Sequence, residues 1–269
     1  MLLREVDYAR PASVEEAVGL LAGHENARPL AGGQTLVNVM KQRAASPDLL
    51  VDLAGLQELA GVRAESNGAL AIGAMATLSA IAGSAEVGEL RPILSEVVER
   101  IADVQVRNRG TIGGNVCSND PTNHLPPLMV ALGATMTIAS VDGERPVPAE
   151  DFFLGVYMTA VAPGELLTAV RIPPAGGTGD GFASVTVGAD GTGIVNVAAT
   201  VDGEARIAIG CVDAVPVPVT SRPDEESVRE AVRAARLDPP SDVHGSGEYR
   251  LHLAEVLAVR AVEQATSSG

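Results

Sequence analysis

Basic residues are scarce in this chain: 19 Lys and Arg stand against 34 Asp and Glu, for a net charge of −15. Duplex binding needs clustered cations to displace counterions, so nucleic acid is excluded as a partner, and an anionic membrane surface is disfavoured. Aromatics are scarcer still, with three Tyr, three Phe and no Trp, so the core must be built from Val, Leu, Ile and Ala. Only two cysteines occur, Cys117 and Cys211, with no Cys-x-x-Cys and no Cys/His cluster. That excludes a zinc or iron–sulfur site made by this chain alone. Two isolated thiols fit a reduced cytosolic protein better than a single disulfide. No apolar run approaches the ~18 residues of a membrane span. The opening Met-Leu-Leu-Arg-Glu-Val-Asp is charged too early for a signal peptide. The expectation is a cytoplasmic protein with no membrane contact.

The chain does carry strong local signals. Pro11–Gly23 reads as a helix: Ser13 caps it, Glu16 completes a capping box, Val14, Ala17, Val18 and Leu21 form an apolar stripe, and Gly23 stops it. A short apolar run then meets a turn at Gly32-Gly33 and a helix opening near Thr35, and "PDLLVDLAGL" is a buried strand ending at Asp52 or Leu53. Residues 61–77 predict a hairpin through Asn67-Gly68. Thr77 caps a short helix, and Pro92 opens a better one within Arg91–Ala102. A loop over Arg107–Pro127, rich in glycine, asparagine and proline, leads to a short helix and the strand Thr135–Ser140; Gly164–Pro173 is strand-like. The Gly-rich stretch Ala175–Asp180 marks a domain boundary. Beyond it, turns at Asp190-Gly191 and Asp202-Gly203 predict an antiparallel meander. Helices over Glu225–Arg236 and about Gly247–Gln264 follow, then a disordered Ser-Ser-Gly tail. The fold class is α+β. Residues 1–174 form one domain, with subdomains of about 1–56 and 57–174, and residues 175–269 form an antiparallel sheet with helices.

Two Gly-Gly pairs raise the functional question. Gly32-Gly33 precedes Gln34-Thr35, and Gly113-Gly114 lies between Thr111-Ile112 and Asn115. Glycines at positive φ turn successive N–H groups toward one concave spot, and such a nest holds phosphate oxygens without lysine. A helix opening at Thr35 adds its own N-terminal donors. The competing reading makes both pairs plain tight turns. Neither pair matches the Rossmann or Walker patterns, and no Ser-His-Asp or Cys-His arrangement supports a hydrolase.

"PLAGGQTLVNVMKQR", "VRNRGTIGGNVCSNDPTNHLPPLMVALGA" and "SDVHGSGEYRLHLAEVLAVRA" resemble, in order and spacing over essentially the whole chain, the flavin-bearing medium subunit of molybdenum hydroxylases. These are enzymes of the carbon-monoxide dehydrogenase and xanthine dehydrogenase type. The resemblance implies a two-part α/β FAD-binding domain of the PCMH type, the fold of vanillyl-alcohol oxidase, followed by a C-terminal α+β domain. It implies FAD as cofactor, with Ala31, Gly32, Gly33, Gln34 and Thr35 beside adenosine and pyrophosphate. Thr111, Ile112, Gly113, Gly114 and Asn115 would reach pyrophosphate and ribityl, and Leu167 would lie near the ring. It implies two partners, an iron–sulfur small subunit and a molybdopterin large subunit, and no catalytic acid or base on this chain.

Two positions depart from the resemblance. His124 stands where the family usually has an acidic residue that contacts the adenosine or ribityl part of the cofactor; as a cofactor-binding candidate the histidine donates there rather than accepts, or it leaves that contact to Asp120 or Asn123. Thr186 stands about where some relatives have a lysine near the ring. Structural readings compete at several residues: Asp120-Pro121 as a cap for the Pro-rich segment, Lys41 and Arg43 as a solvated helix face, and Tyr157 with Phe152-Phe153 as core. Arg107 and Arg109 are read as contacts near the cofactor or at an interface. The leading expectation is an electron-transfer subunit. The alternatives are a stand-alone flavin oxidoreductase acting on a small molecule, and a scaffold that has lost its flavin.

Overall fold

The computed structural model describes residues 3–188 and 191–269. The N-terminal unit is a three-stranded parallel sheet in the order Asp7–Ala9, Leu49–Asp52, Ala27–Leu30. Helix Val14–Gly23 joins the first two strands in sequence and buries Ala17, Val18 and Leu21 against them. The Ser13 half of the predicted capping box is present. Ser13 Oγ accepts from Glu16 N at 3.2 Å, and Glu16 reaches back past the cap to accept from Ala12 N at 2.7 Å. The short helix Leu36–Lys41 returns the chain to the middle strand. Leu30 and Asp52, paired in register, end their strands at the same edge. The first glycine loop leaves from that edge, where ligands gather in open parallel sheets.

The second unit is a five-stranded antiparallel sheet, Val62–Ala64, Leu70–Gly73, Leu166–Ile172, Thr135–Ser140, Gly143–Pro148 in spatial order. The Asn67-Gly68 turn forms as expected: Gly68 takes φ +82°, and Asn67 Oδ1 accepts from Ala69 N at 3.0 Å. Helices Leu78–Ala82, Pro92–Glu99, Ile112–Ser118 and Leu125–Ala131 cover the sheet. They bury Ile81, Leu94, Val97, Ile112, Leu128 and Met129 with Leu70, Ile72, Met136 and Ile138. Two further helices, Ala85–Leu90 and Val104–Arg107, are absent from the sequence expectation. The Arg107–Pro127 segment, expected as a loop, contains the whole Ile112–Ser118 helix and the start of the next.

The third unit is the expected meander of four antiparallel strands, Gly179–Val187, Thr192–Asp202, Glu204–Gly210 and Val217–Ser221. Gly203 turns at φ +69° as foreseen; Asp190 of the other predicted turn lies outside the described residues. Helix Gly247–Ser268 packs on the first two strands of this sheet. Its close approach explains two glycines: a Cβ at Gly179 or Gly181 would sit 1.7 or 2.0 Å from the carbonyl oxygens of Ala265 and Ala261. The Ser-Ser-Gly tail is therefore not disordered as expected. The helix runs to Ser268, with the Ser267 and Ser268 hydroxyls donating to the carbonyls four residues back at 2.8 and 2.7 Å.

The proposed boundary near residue 175 falls in a stretch without regular structure between Ile172 and Gly179. Packing crosses it. Phe182, Ala198 and Ala208 of the meander join the core of the middle sheet. Arg91, 3% exposed, donates to both carboxylate oxygens of Asp180 at 2.7 and 2.6 Å and to the Pro173 and Pro174 carbonyls.

Candidate functional site

The loop after Leu30 is shaped by two glycines with different tasks. Gly33 takes φ +71°, a conformation that L side chains rarely adopt. Gly32 has no positive φ; it is small because the second glycine segment lies against it, where a Cβ would sit 2.0 Å from the Arg109 carbonyl oxygen. Gln34 Nε2 donates to Gly32 O at 3.0 Å and Asn38 Nδ2 to Gln34 O at 2.7 Å, which locks the loop. The backbone N–H groups of Gly32, Gly33, Gln34 and Thr35 donate to no acceptor among the described residues. Gly32, Gly33 and Gln34 line a cavity of about 350 Å³ whose wall also includes Asn38, Lys41, Asp52 and Arg109. That volume lies within the range of ligand sites, roughly 300–1,000 Å³. The Lys41 and Arg109 side chains are exposed and have no hydrogen-bond or ion-pair partner among the described residues. Asp52 is held by Ala54 N at 3.0 Å and by the Tyr8 hydroxyl, whose pKa this acceptor raises. The sequence reading missed Asp52 and Asn38 as wall residues; the end of a parallel strand beside a glycine loop was the available signal for Asp52.

The second glycine pair works differently from a nest. Neither Gly113 nor Gly114 has positive φ, because both lie in the first turn of the Ile112–Ser118 helix. The amides there already have partners: Ile112 N donates to Ala76 O at 3.0 Å, Gly113 N to Ala74 O at 2.9 Å, and Gly114 N to the capping Thr111 Oγ1 at 3.1 Å. Gly113 is glycine because a Cβ would lie 2.7 Å from Ala74. What remains open is the exposed Gly114 and the Asn115 side chain, whose buried Oδ1 has no partner. An ideal Cβ at Gly114 would come 3.9 Å from Ala31 Cβ. The two glycine segments, 79 positions apart when counted from Gly32 to Thr111, therefore meet side by side.

The other expected residues stand apart from this cavity. Asp120 does not cap the Pro-rich helix, whose cap position is His124. It forms an Asx turn instead, accepting from Thr122 N at 3.0 Å and Thr122 Oγ1 at 2.8 Å. His124 is 3% exposed, its ring centroid 5.5 Å from that of Phe182, with Nδ1 3.3 Å from Asn196 Nδ2 and Nε2 unpartnered. Burial pushes its pKa down to about 4, so the ring is neutral. Leu167, 3% exposed, belongs to the core of the middle sheet. Thr186 lies on an exposed, bulged position of the first meander strand. Arg107 is structural, donating to the Ile101 and Ala102 carbonyls at 3.1 and 2.9 Å. Phe152 and Phe153 are core as read, whereas Tyr157 is 62% exposed. Both cysteines are free, and burial pushes each thiol up to about 12, so neither is a nucleophile at neutral pH. No cluster of three or more metal-ligating side chains occurs among the described residues. No helix there is long and apolar enough to cross a membrane.

Residues 4–175 match the family described as "FAD binding domain in molybdopterin dehydrogenase", and the chain belongs to that family of FAD-binding oxidoreductase domains. Among its relatives, the carbon monoxide dehydrogenase medium chain of Afipia carboxidovorans is 39% identical, with 98% of each chain aligned. The glyceraldehyde dehydrogenase medium chain of Sulfolobus acidocaldarius is 32% identical over 97% of this chain and 98% of that one. The fold superposes on the Cu,Mo-CO dehydrogenase crystal structure with a TM-score of 0.94 at 38% identity over the full length of both chains.

The residues present fit FAD. A bis-anionic phosphate bridge needs donors with no competing partner, and Gly32–Thr35 supply consecutive free amides with two unpaired cations beside them. The orphaned Asn115 Oδ1 is a buried acceptor that costs stability until something donates to it.

Proposed function

We propose that this chain is the FAD-bearing electron-transfer subunit of a molybdenum hydroxylase. It takes electrons from the iron–sulfur centres of a small partner, fed by a molybdopterin large subunit, and delivers them to an acceptor such as NAD or oxygen. The observation that carries this reading is the meeting of the two glycine segments around unengaged amides. When bound, FAD supplies the redox chemistry. The protein's own task is to hold and orient. The Gly32–Thr35 amides, with Lys41 and Arg109, take the phosphates. Thr111–Gly114 buttress that loop from below, and Asn115 presents its side chain to the sugar-alcohol or phosphate portion. Electron transfer needs no general acid or base, so Asp52 and Lys41 on the cavity wall are assigned no proton-transfer role. Asp120 and His124 are assigned to the fold around the site rather than to the cofactor, since both are engaged or buried away from the cavity wall.

The test is an absorption spectrum of the purified protein, with the released cofactor identified by mass, followed by iron and molybdenum analysis of whatever co-purifies. FAD recovered with iron- and molybdenum-bearing subunits is the expected result. A colourless protein that stays colourless with excess FAD would overturn the reading. FAD without any metal partner would favour a stand-alone oxidoreductase.

A further inference from the structure

The free amides, Lys41 and Arg109 suit an anion, but one residue on the same wall has the wrong sign for that task. Asp52 is the only carboxylate among the described residues that line the cavity. A negative charge beside a bis-anion opposes binding by simple Coulomb repulsion. It helps only if the carboxylate accepts hydrogen bonds from neutral groups of the same ligand. Two anchors from different elements hold the half-buried Asp52 side chain for such a task. Its Oδ1 accepts from Ala54 N at 3.0 Å, in the turn that follows the strand. Its Oδ2 accepts from the hydroxyl of Tyr8, on the neighbouring strand Asp7–Ala9. A carboxylate oxygen has about two acceptor positions, so each still has room for one donor. Two parallel acceptors match two hydroxyls on adjacent carbons.

Its place in the sheet says which hydroxyls these are. Asp52 ends the middle strand and is paired in register with Leu30, the last residue before the glycine loop. Counted from Gly32, it stands 20 positions along the chain. Parallel sheets that hold dinucleotides by another topology place an acid in the same way. There the glycine loop takes the pyrophosphate, and a carboxylate about 20 residues on, at the end of the next strand, takes the ribose hydroxyls. The physical reason carries over to this sheet. Adjacent strand ends lie about 4.8 Å apart, so a sugar bonded to a phosphate on the loop reaches the next strand. The ribityl side of the pyrophosphate faces the second glycine segment, where Asn115 Oδ1 waits for a donor. The sugar on the Asp52 side is then the ribose. We propose that Asp52, positioned by Tyr8 and Ala54 N, accepts the ribose hydroxyls of the adenosine half of FAD and makes the cavity select an unmodified ribose. The selection rests on the FAD reading above and adds to it a residue that reads the sugar. A phosphate on that ribose would meet the carboxylate and be rejected.

The test is a set of binding titrations on the full chain stripped of flavin, with FAD, ADP, 2′,3′-dideoxy-ADP, ADP phosphorylated on the ribose 2′-oxygen, and FMN. Wild type should bind ADP at least about tenfold tighter than dideoxy-ADP, the usual effect of hydrogen bonds to a charged acceptor. It should also bind ADP at least about tenfold tighter than the 2′-phosphorylated form. In Asp52→Asn both preferences should shrink to about threefold or less, and FAD should bind at least about tenfold more weakly. FMN, which lacks the adenosine half, should bind both proteins alike. The sign for FAD is decisive. Removing a negative charge that merely faces the phosphates would tighten FAD, so FAD bound equally or more tightly by the variant overturns the proposal. A loss that is the same for ADP and dideoxy-ADP makes Asp52 a structural turn residue, which also overturns it. So does a loss for FMN with none for ADP, which would turn the carboxylate toward the ribityl chain. If the variant does not fold, wild type still decides: equal binding of ADP and dideoxy-ADP, or of neither while FAD binds, sinks the role of Asp52 alone. A wild type that takes up neither FAD nor ADP removes the FAD reading, and this proposal with it.

Discussion

Mild acid should weaken this protein through His124. The ring is 3% exposed and packs 5.5 Å from Phe182, which also carries the Arg100 guanidinium 5.8 Å from its centroid. Burial lowers the pKa from 6.5 to about 4, and the Arg100 charge acts in the same direction. The sign follows from proton counting. Between the folded value of about 4 and the unfolded value of 6.5, the unfolded chain binds a proton that the folded chain refuses, so stability rises with pH across that window. The stabilisation relative to a protonated reference is complete above pH 6.5, shrinks as pH falls, and is gone below about 4. Each pH unit inside the window is worth about 1.4 kcal/mol, so the full swing is about 3 kcal/mol, with about 2 kcal/mol of it lost by pH 5. The assay is urea unfolding of wild type and His124→Gln, both saturated with FAD, at steps from pH 7.5 to pH 5. Glutamine does not titrate, so any constant offset between the two proteins is irrelevant. The wild-type advantage should shrink by about 2 kcal/mol over that range. Parallel curves would show that His124 takes up its proton in the folded state at its ordinary pKa, and the assignment of a neutral buried ring would be wrong.

Four further outcomes follow from the geometry. Gly32→Ala, which forces a Cβ to 2.0 Å from the Arg109 carbonyl, should cost at least about 1–3 kcal/mol and abolish FAD retention. Gly114→Ala crowds only the Thr111 hydroxyl, at 3.0 Å, and no backbone, so its cost in melting temperature should be smaller than that of Gly32→Ala. Replacing both Lys41 and Arg109 by Ala should weaken FAD binding by about tenfold or more at low salt, and the difference should narrow as ionic strength rises. A salt-independent loss in a titration series would mean that the two cations act by packing. Arg91→Met strands a buried Asp180 carboxylate and two proline carbonyls, at about 3–5 kcal/mol; adding Asp180→Leu should recover a good part of that. If the double variant unfolds as readily as the single one, the cost lies in lost packing and not in the stranded charge.

What the sequence disclosed, and what it hid, divides along local against distant causes. Ser13 and Glu16 declare the first helix because all partners of a capping box lie within four residues. Asn67-Gly68 declares its turn for the same reason. The helix Ala85–Leu90 was not legible, since Gly88 and a neighbouring helix ending at Ala82 blur both its pattern and its start. Gly113-Gly114 pointed the wrong way. Each glycine in a helix costs about 1 kcal/mol against alanine, so local reasoning favours a turn. The helix forms because Thr111 caps it and because Ala74 presses so close to Gly113 that no side chain fits. Ala74 is remote in the sequence, and nothing near Gly113 announces it.

The same distinction bears on how so acidic a chain holds an anionic cofactor. The two glycine pairs look alike in sequence, and both read as nests. In the fold they are complementary parts. One pair leaves its amides free, and the other has its amides bonded so that it can serve as a fixed wall. Gly32 is the point of contact between them, and the residue that touches it is Arg109, through its backbone. That contact brings an unpaired guanidinium to the cavity that the free amides border. Removing the Arg109 charge and displacing the Arg109 backbone are therefore different perturbations at one residue. The first should be felt by the cofactor alone, and the second, made from Gly32, by the fold as well.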